Sequence, residues 1–272
     1  MVRSSAPFDR NVARWHQYAA GLKGRLRQAL ILDQLQAHLP AGRNRLSVLD
    51  AGCGLGEVAS ALLPKARRMV LLDFSAEMLA ETGKRLAAAH SPAELEALEL
   101  VHGPLEEISA TLPEGLFDLI LCHNVLEYVA DPSAILALLA DRLAPAGVLS
   151  LVAANRYSDA VKLALVKFDL AGARLALAKQ ASTAELFDQV HKGTFSPAQL
   201  GDMVHGLGLS LLGGYGVRVF TDYLPEEVTQ APENEAPLLE LEKAAGALED
   251  CLALARYCHL IFRKKAAGAT ER

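Results

Sequence analysis

Two acids and a run of glycines are the residues here whose types and spacing point to chemistry. "VLDAGCGLGE" (48–57) is an apolar run ending in Asp50, followed by Gly52, Gly54 and Gly56. A second acid, Asp73, closes the next apolar run 21 residues after Gly52. Glycines this dense let the backbone approach a ligand closely, and three ligand chemistries compete for such a loop. A nucleoside triphosphate wants GxxxxGK[ST], and no Lys or Thr follows here. A dinucleotide wants GxGxxG; Gly52-Cys53-Gly54-Leu55-Gly56 is one residue tighter, and Asp50 would turn a carboxylate toward the pyrophosphate. A sulfonium nucleoside carries a positive sulfur, an ammonium group and no phosphate, so an acid at Asp50 favours it. Asp73 then stands where a carboxylate accepts both ribose hydroxyls.

Such acids need strand ends to hold them. "LSVLD" (46–50), "RMVLLD" (68–73), "LELVHG" (98–103), "FDLILCHN" (117–124) and "GVLSLVAAN" (147–155) read as strands, and the fourth is apolar enough to be buried on both faces. Helical patterns separate them: one from about Glu57, one capped by Ser75, and "DPSAILALLADRLAP" (131–145). Strands alternating with helices imply βαβ units and a parallel sheet. After Asn155 the rhythm changes, and 156–195 read as helices with no clear strand. Ser196-Pro197 opens a short helix; "LSLLGGYGVRVF" (209–220) and "RYCHLIFRK" (256–264) read as two further strands around a helical, acidic stretch (233–255). The expected fold is α/β: a Rossmann-like, doubly wound seven-stranded sheet with a helical N-terminal cap and a helical insertion after strand five. The corresponding divisions are 1–40 (cap), 41–155 (ligand-binding core), 156–195 (insertion or lid) and 196–272 (the rest of the sheet). Ligands in such sheets sit at the carboxyl ends of the strands.

The chain has 272 residues, 51% of them hydrophobic and 22% charged, in the range of a soluble globular protein with a sizeable core. No apolar run approaches a membrane span and no signal-peptide pattern opens the chain. Cys53, Cys122, Cys251 and Cys258 form no CxxC pair and no zinc spacing, which reads as free thiols in a reducing cytoplasm, with no metal. Charge is uneven: residues 1–30 carry Arg3, Arg10, Arg14, Lys23, Arg25 and Arg27 against Asp9 alone, on a chain of net charge −5. A basic arm on an acidic body can meet phosphates, or it can be a solvated helix face.

The VLDxGxGxG run with its strand-terminal acid resembles the class I S-adenosylmethionine-dependent methyltransferases; a NAD enzyme or a non-catalytic Rossmann-like domain is the alternative that the glycines alone leave open. At finer grain, "KGRLRQALILDQL" (23–35), "LDFSAEML" (72–79), "FDLILCHNVLEYVADP" (117–132), "AGVLSLVAAN" (146–155), "GVRVFTDYL" (216–224) and "ARYCHLIFRK" (255–264) resemble the tRNA 5-carboxymethoxyuridine methyltransferase family. That family makes a methyl ester of the carboxylate on a modified wobble uridine. The resemblance implies S-adenosylmethionine as donor, S-adenosylhomocysteine as product, and the tRNA anticodon loop as partner, with the basic residues of 1–30 as its contact.

It also implies roles, residue by residue. Arg27 meets the carboxylate of the methionine moiety, as a guanidinium can with two parallel hydrogen bonds. Asp50, Gly52, Cys53 and Gly54 line the methionine side, Asp73 takes the ribose, and Phe74 lies against adenine. Leu105 and Glu106 read the adenine edge, where Pro104 offers no N–H. His123 lies near the donor at the end of strand four; Glu127 and Asp131 cap the helix that follows. No catalytic residue is assigned, since a carboxylate acceptor is already ionised at neutral pH and needs positioning in a dry site. Arg218, Tyr223, Arg256, Tyr257, His259 and His123 are the candidates for positioning it, with Arg218 beside Tyr223 foremost; the structural alternative is an Arg218–Asp222 pair across a turn. Members of the family carry a dense lysine run in the insertion, whereas this chain offers scattered Lys162, Lys167, Arg174, Lys179 and Lys192. A small-molecule carboxyl, O- or N-methyltransferase on the same scaffold therefore stands beside the tRNA reading, as does a cofactor-binding protein without catalysis.

Overall fold

The computed structural model describes residues 4–40, 45–112, 114–178, 183–185 and 191–265. Three helices lead in: α1 (Ala6–Asp9), α2 (Val12–Ala20) and α3 (Leu22–Gln36). The helical cap breaks at Gly21, and the two halves pack closely where a Cβ on Gly24 would collide with the Tyr18 carbonyl oxygen. The core follows as β1 (Leu46–Ala51), α4 (Glu57–Leu62), β2 (Ala66–Asp73), α5 (Ala76–Ala89), α6 (Pro92–Leu95), β3 (Leu98–His102), α7 (Ile108–Thr111), β4 (Phe117–His123), α8 (Pro132–Arg142) and β5 (Leu143–Ala154). Ser75 caps α5 by accepting from Met78 N, and Asp131 caps α8 by accepting from Ala134 N.

The insertion holds α9 (Tyr157–Leu165) and α10 (Leu170–Ala178), then a short antiparallel ribbon, β6 (Thr183–Glu185) with β7 (His191–Gly193). That ribbon corrects the expectation of a strand-free insertion: three-residue strands are too short to leave an alternating pattern. The chain closes with α11 (Pro197–Val204), β8 (Leu209–Val217), α12 (Glu226–Gln230), α13 (Glu235–Gly246) and β9 (Tyr257–Lys264), with a 3-10 turn at Glu249–Leu254 where continuous helix was expected.

The sheet is seven-stranded, ordered β3-β2-β1-β4-β5-β9-β8, and β9 alone runs antiparallel to its neighbours. Strand alternation divides its side chains between two apolar layers. Leu49, Ile120 and Cys122 face α8 and α11; Val48, Leu119 and Leu121 face α3, α4 and α5. Strand order reverses between β1 and β4, so their carboxyl ends open a crevice at the switch point. Among the described residues no helix is long and apolar enough to cross a membrane.

Candidate active site

A cavity of about 530 Å³ opens at that crevice. Its floor is the loop after β1. Gly52 (φ +82) turns its N–H, with that of Cys53, onto the Leu72 carbonyl at 2.7 and 3.0 Å, and a Cβ on it would lie 2.4 Å from the Val125 side chain. Gly54 (φ +54) has nothing within 4 Å of where its Cβ would point, so its bare backbone faces open space that a ligand can fill.

Two acids flank this loop. Asp73 accepts from Gly54 N (2.8 Å) and Ser75 N (2.9 Å), which fixes the carboxylate and leaves lone pairs for two ligand hydroxyls. Burial pushes its pKa up against those backbone donors. Asp50 is 4% exposed, lines the cavity, and makes no hydrogen bond or ion pair among the described residues. Burial first, then the Asp73 carboxylate, push its pKa up to about 7. A buried carboxylate left without a partner costs free energy that a ligand cation recovers. Cys53 is buried, and burial with both acids pushes its thiol well above the ordinary value, which makes it a small neighbour and no nucleophile.

Arg27, on α3, reaches into the cavity from the N-terminal cap. Its Nε and Nη2 donate to Asn124 Oδ1 at 3.1 and 2.6 Å, and Nη1 lies 3.5 Å from Glu57 Oε2. Asn124 is held in turn at φ +57 by donating to Glu127 Oε1, which also accepts from Ala154 N. Glu127 is thus a buried brace for the Arg27 partner rather than a helix cap. Phe74, Leu105, Glu106 and His123 all line the cavity. Phe8, from the cap, packs edge-on against Phe74 and Tyr128 at 5.2 Å each, and Asp9 accepts from Ser75 Oγ, tying the cap across this end of the cavity.

The other end is cationic and aromatic. Arg14, Lys23, Lys162, Arg218 and Arg256 line it with Tyr257. The guanidinium carbons of Arg218, Arg27 and Arg256 lie 5.3, 5.8 and 5.9 Å from the Tyr257 ring centroid, within cation–π range. Arg218, 3% exposed, is paired in both directions with Asp222 (Nε–Oδ2 2.7 Å, Nη2–Oδ1 2.9 Å) and donates to Tyr18 OH. The Arg–Asp pair across a turn is what the structure contains. Arg256 is engaged by Asp159 and Ser158. Lys162, on α9, has no ion-pair partner among the described residues; burial and then Arg256 lower its pKa.

Two residues singled out from the sequence lie away from the cavity lining. Tyr223 donates its hydroxyl to the Leu254 carbonyl, and fully buried His259 lies between Ser150 and Gln34. Sequence reasoning also passed over Phe8, Trp15, Tyr18, Asn124 and Glu57 as lining residues. Phe8, Trp15 and Tyr18 carry no motif, and only the folding of the cap over the sheet brings them in; Glu57 and Asn124 stand inside the stretches quoted above, next to residues given roles there. Part of the basic arm is engaged by acids of its own chain: Arg25 pairs with Glu235 at the surface, and Lys23 lies 3.7 Å from Asp222. Arg3 and Lys179 lie outside the described residues, as does the side chain of Lys192.

Residues 23–212 match the family model described as a methyltransferase domain. The chain is 35% identical over 246 residues to the tRNA 5-carboxymethoxyuridine methyltransferase of Escherichia coli K12, covering 89% of each chain. The chain is a class I S-adenosylmethionine-dependent methyltransferase. Over a shorter span it is 33% identical to a ubiquinone biosynthesis O-methyltransferase of Xanthomonas campestris, covering 50% of this chain and 53% of that one. Its fold is also that of magnesium protoporphyrin IX methyltransferase from Synechocystis with bound S-adenosylhomocysteine (TM-score 0.60, 15% identity, 93% and 94% covered). Like other methyltransferases of the class, it uses S-adenosylmethionine as methyl donor. The features that suit this donor are the open face at Gly54, the partnerless acid at Asp50 and the fixed carboxylate at Asp73.

Proposed function

We propose that this methyltransferase esterifies the carboxylate of 5-carboxymethoxyuridine at the tRNA wobble position, acting in the cytoplasm. The observation that carries the reading is the cationic end of the cavity, where Lys162 has no ion-pair partner among the described residues. An anion is the acceptor such a site attracts, and the likeness to the Escherichia coli enzyme extends over nearly the whole chain.

The donor supplies a methyl group already activated on sulfonium. In this reading the chain's own residues bind and orient. Arg27 takes the methionine carboxylate, Asp50 the ammonium, and Asp73 the ribose hydroxyls. Phe74 and Phe8 flank adenine, with Leu105 and Glu106 at its edge. At the other end Lys162 holds the acceptor carboxylate, with Lys23 beside it. Arg218, committed to Asp222, contributes positive potential and anchors Tyr18 rather than gripping substrate. No proton needs to move, because the acceptor is ionised at neutral pH. Water exclusion by Trp15, Tyr18 and Tyr257 completes what the protein supplies.

A second reading, a small-molecule carboxyl or O-methyltransferase, is favoured by the likeness to the ubiquinone-pathway enzyme over half the chain and by a cavity of small-ligand size. The two readings separate with methyl-labelled donor and tRNA bearing the unesterified nucleoside. Label that enters tRNA and leaves as methanol in mild alkali is an ester, as proposed. Label that enters and resists alkali, or none entering tRNA, contradicts it.

A further inference from the structure

A chain of polar groups runs from the cavity across β5 and β9, along the face of the sheet that α3 covers, toward the β8 edge. His123 Nε2 lies 2.8 Å from Ser150 Oγ, which lies 2.9 Å from His259 Nε2. His259 Nδ1 lies 2.8 Å from Gln34 Oε1, and Gln34 Nε2 donates to the Gly216 carbonyl at 3.0 Å. A carbonyl only accepts, so it fixes the direction of every bond after it. Gln34 must offer Nε2 to Gly216 and Oε1 to His259. His259 therefore carries its proton on Nδ1 and accepts at Nε2. Ser150 donates its hydroxyl proton to His259, and its oxygen is left to accept from His123. Running the chain backwards would set the Gln34 oxygen against the Gly216 oxygen at 3.0 Å, acceptor against acceptor.

We propose that Gln34, Ser150 and His259 are positioning residues that hold His123 as its Nε2–H tautomer and present a bare Nδ1 lone pair to the methyl-transfer cavity. His123 lines that cavity, and Nδ1 has no hydrogen-bond partner among the described residues. It ends β4, the strand paired with β1, whose end carries Asp50. The ammonium and sulfonium of the donor belong to this region of the crevice. An uncharged nitrogen with its lone pair outward suits a sulfonium neighbour, whereas an N–H or an imidazolium repels it. Burial, then His259 on β9 and Arg27 on α3, hold the His123 pKa well below the ordinary imidazole value, in keeping with a neutral ring. Burial, then His38, likewise brings His259 down to about 3. The role does not depend on which acceptor is used.

The test is nitrogen-15 NMR of the histidine rings in the full chain, with His123→Gln to assign the signal, and donor affinity measured beside it. The expected spectrum has His123 protonated at Nε2 alone, unchanged across the range where an ordinary imidazole titrates. Ser150→Ala should admit the Nδ1–H form and weaken S-adenosylmethionine binding about tenfold, with a smaller loss for the uncharged thioether product. Ser150→Thr, which keeps the hydroxyl, should restore both. Gln34→Met, cut at the remote end of the chain, should shift the tautomer in the same direction. A wild-type His123 protonated at Nδ1 overturns the proposal. So does a His123 that titrates as an exposed imidazole, or a Ser150→Ala protein with unaltered tautomer and affinity.

Discussion

Asp50 has a pKa near 7 because burial and the Asp73 carboxylate both oppose its charge. The folded donor-free protein therefore binds a proton there that the unfolded chain releases near pH 4, so this group's contribution to stability falls as pH rises from about 4 to 7. Asp50→Asn should thus stabilise the donor-free protein at pH 8, by at most a few kcal/mol at about 1.4 kcal/mol per pKa unit. It should also abolish tight donor binding, as calorimetry would show. In the wild type, donor affinity should fall as pH drops through 7, since the ammonium requires the ionised acid. Lys162→Ala should raise the acceptor KM at least tenfold and leave donor affinity within twofold; equal losses in both would remove Lys162 from the acceptor site. Asp50 and Asp73 were legible in the sequence as cavity residues because a strand end fixes each of them; Arg27 entered only through the resemblance carried by "KGRLRQALILDQL". Lys162 was visible only as one of the insertion's scattered lysines. What singles it out is the lack of an ion-pair partner among the described residues, which no spacing encodes.

The turn after β8 is the element that the sequence misrepresents. "GVRVF" has the composition of a strand, yet β8 ends at Val217 and Arg218 takes φ +60. The cause is remote: Glu242, wholly buried on α13, accepts from the backbone N–H groups of Val219, Phe220 and Thr221 and from the Thr221 hydroxyl. Three backbone donors on one buried carboxylate outweigh local strand preference, and a partner 21 to 23 residues away leaves no periodic signal. Glu242→Ala, which orphans those donors, should destabilise the fold by about 3 kcal/mol or more in denaturant titration and should weaken the Arg218 wall. Gly52→Ala is the matching case at the floor. The Val125 side chain and the positive φ both oppose a Cβ, so a loss of about 1–3 kcal/mol is expected. By contrast, the strands β1 to β5 and the caps Ser75 and Asp131 followed from local pattern, because apolar runs and capping side chains act within a few residues.

At the scale of the whole molecule, one cavity joins an acidic end to a cationic end, in a chain that is acidic overall. The insertion beside Lys162 exposes Leu165, Phe168 (82% exposed), Leu170, Leu175 and Leu177, with Lys167 and Arg174 among them. Cations and an exposed ring next to an acceptor cavity suit a nucleic-acid loop, which binds through phosphates and base stacking. Phe168→Ala together with Lys167→Ala should weaken tRNA binding and flatten its salt dependence, leaving donor affinity unchanged. Seven strands followed from counting apolar runs, but their order did not; nor did the folding of the N-terminal cap over the sheet, because its partners lie in the turns after β2 and β4 and on α13. The measurement that tests the central claim most directly uses the purified protein, S-adenosylmethionine and tRNA carrying unesterified 5-carboxymethoxyuridine, with mass spectrometry of the digested nucleosides. The account predicts conversion of that nucleoside to its methyl ester, abolished in Asp50→Asn and reduced in Lys162→Ala. Unchanged nucleoside, in a protein that still binds S-adenosylhomocysteine, would contradict it.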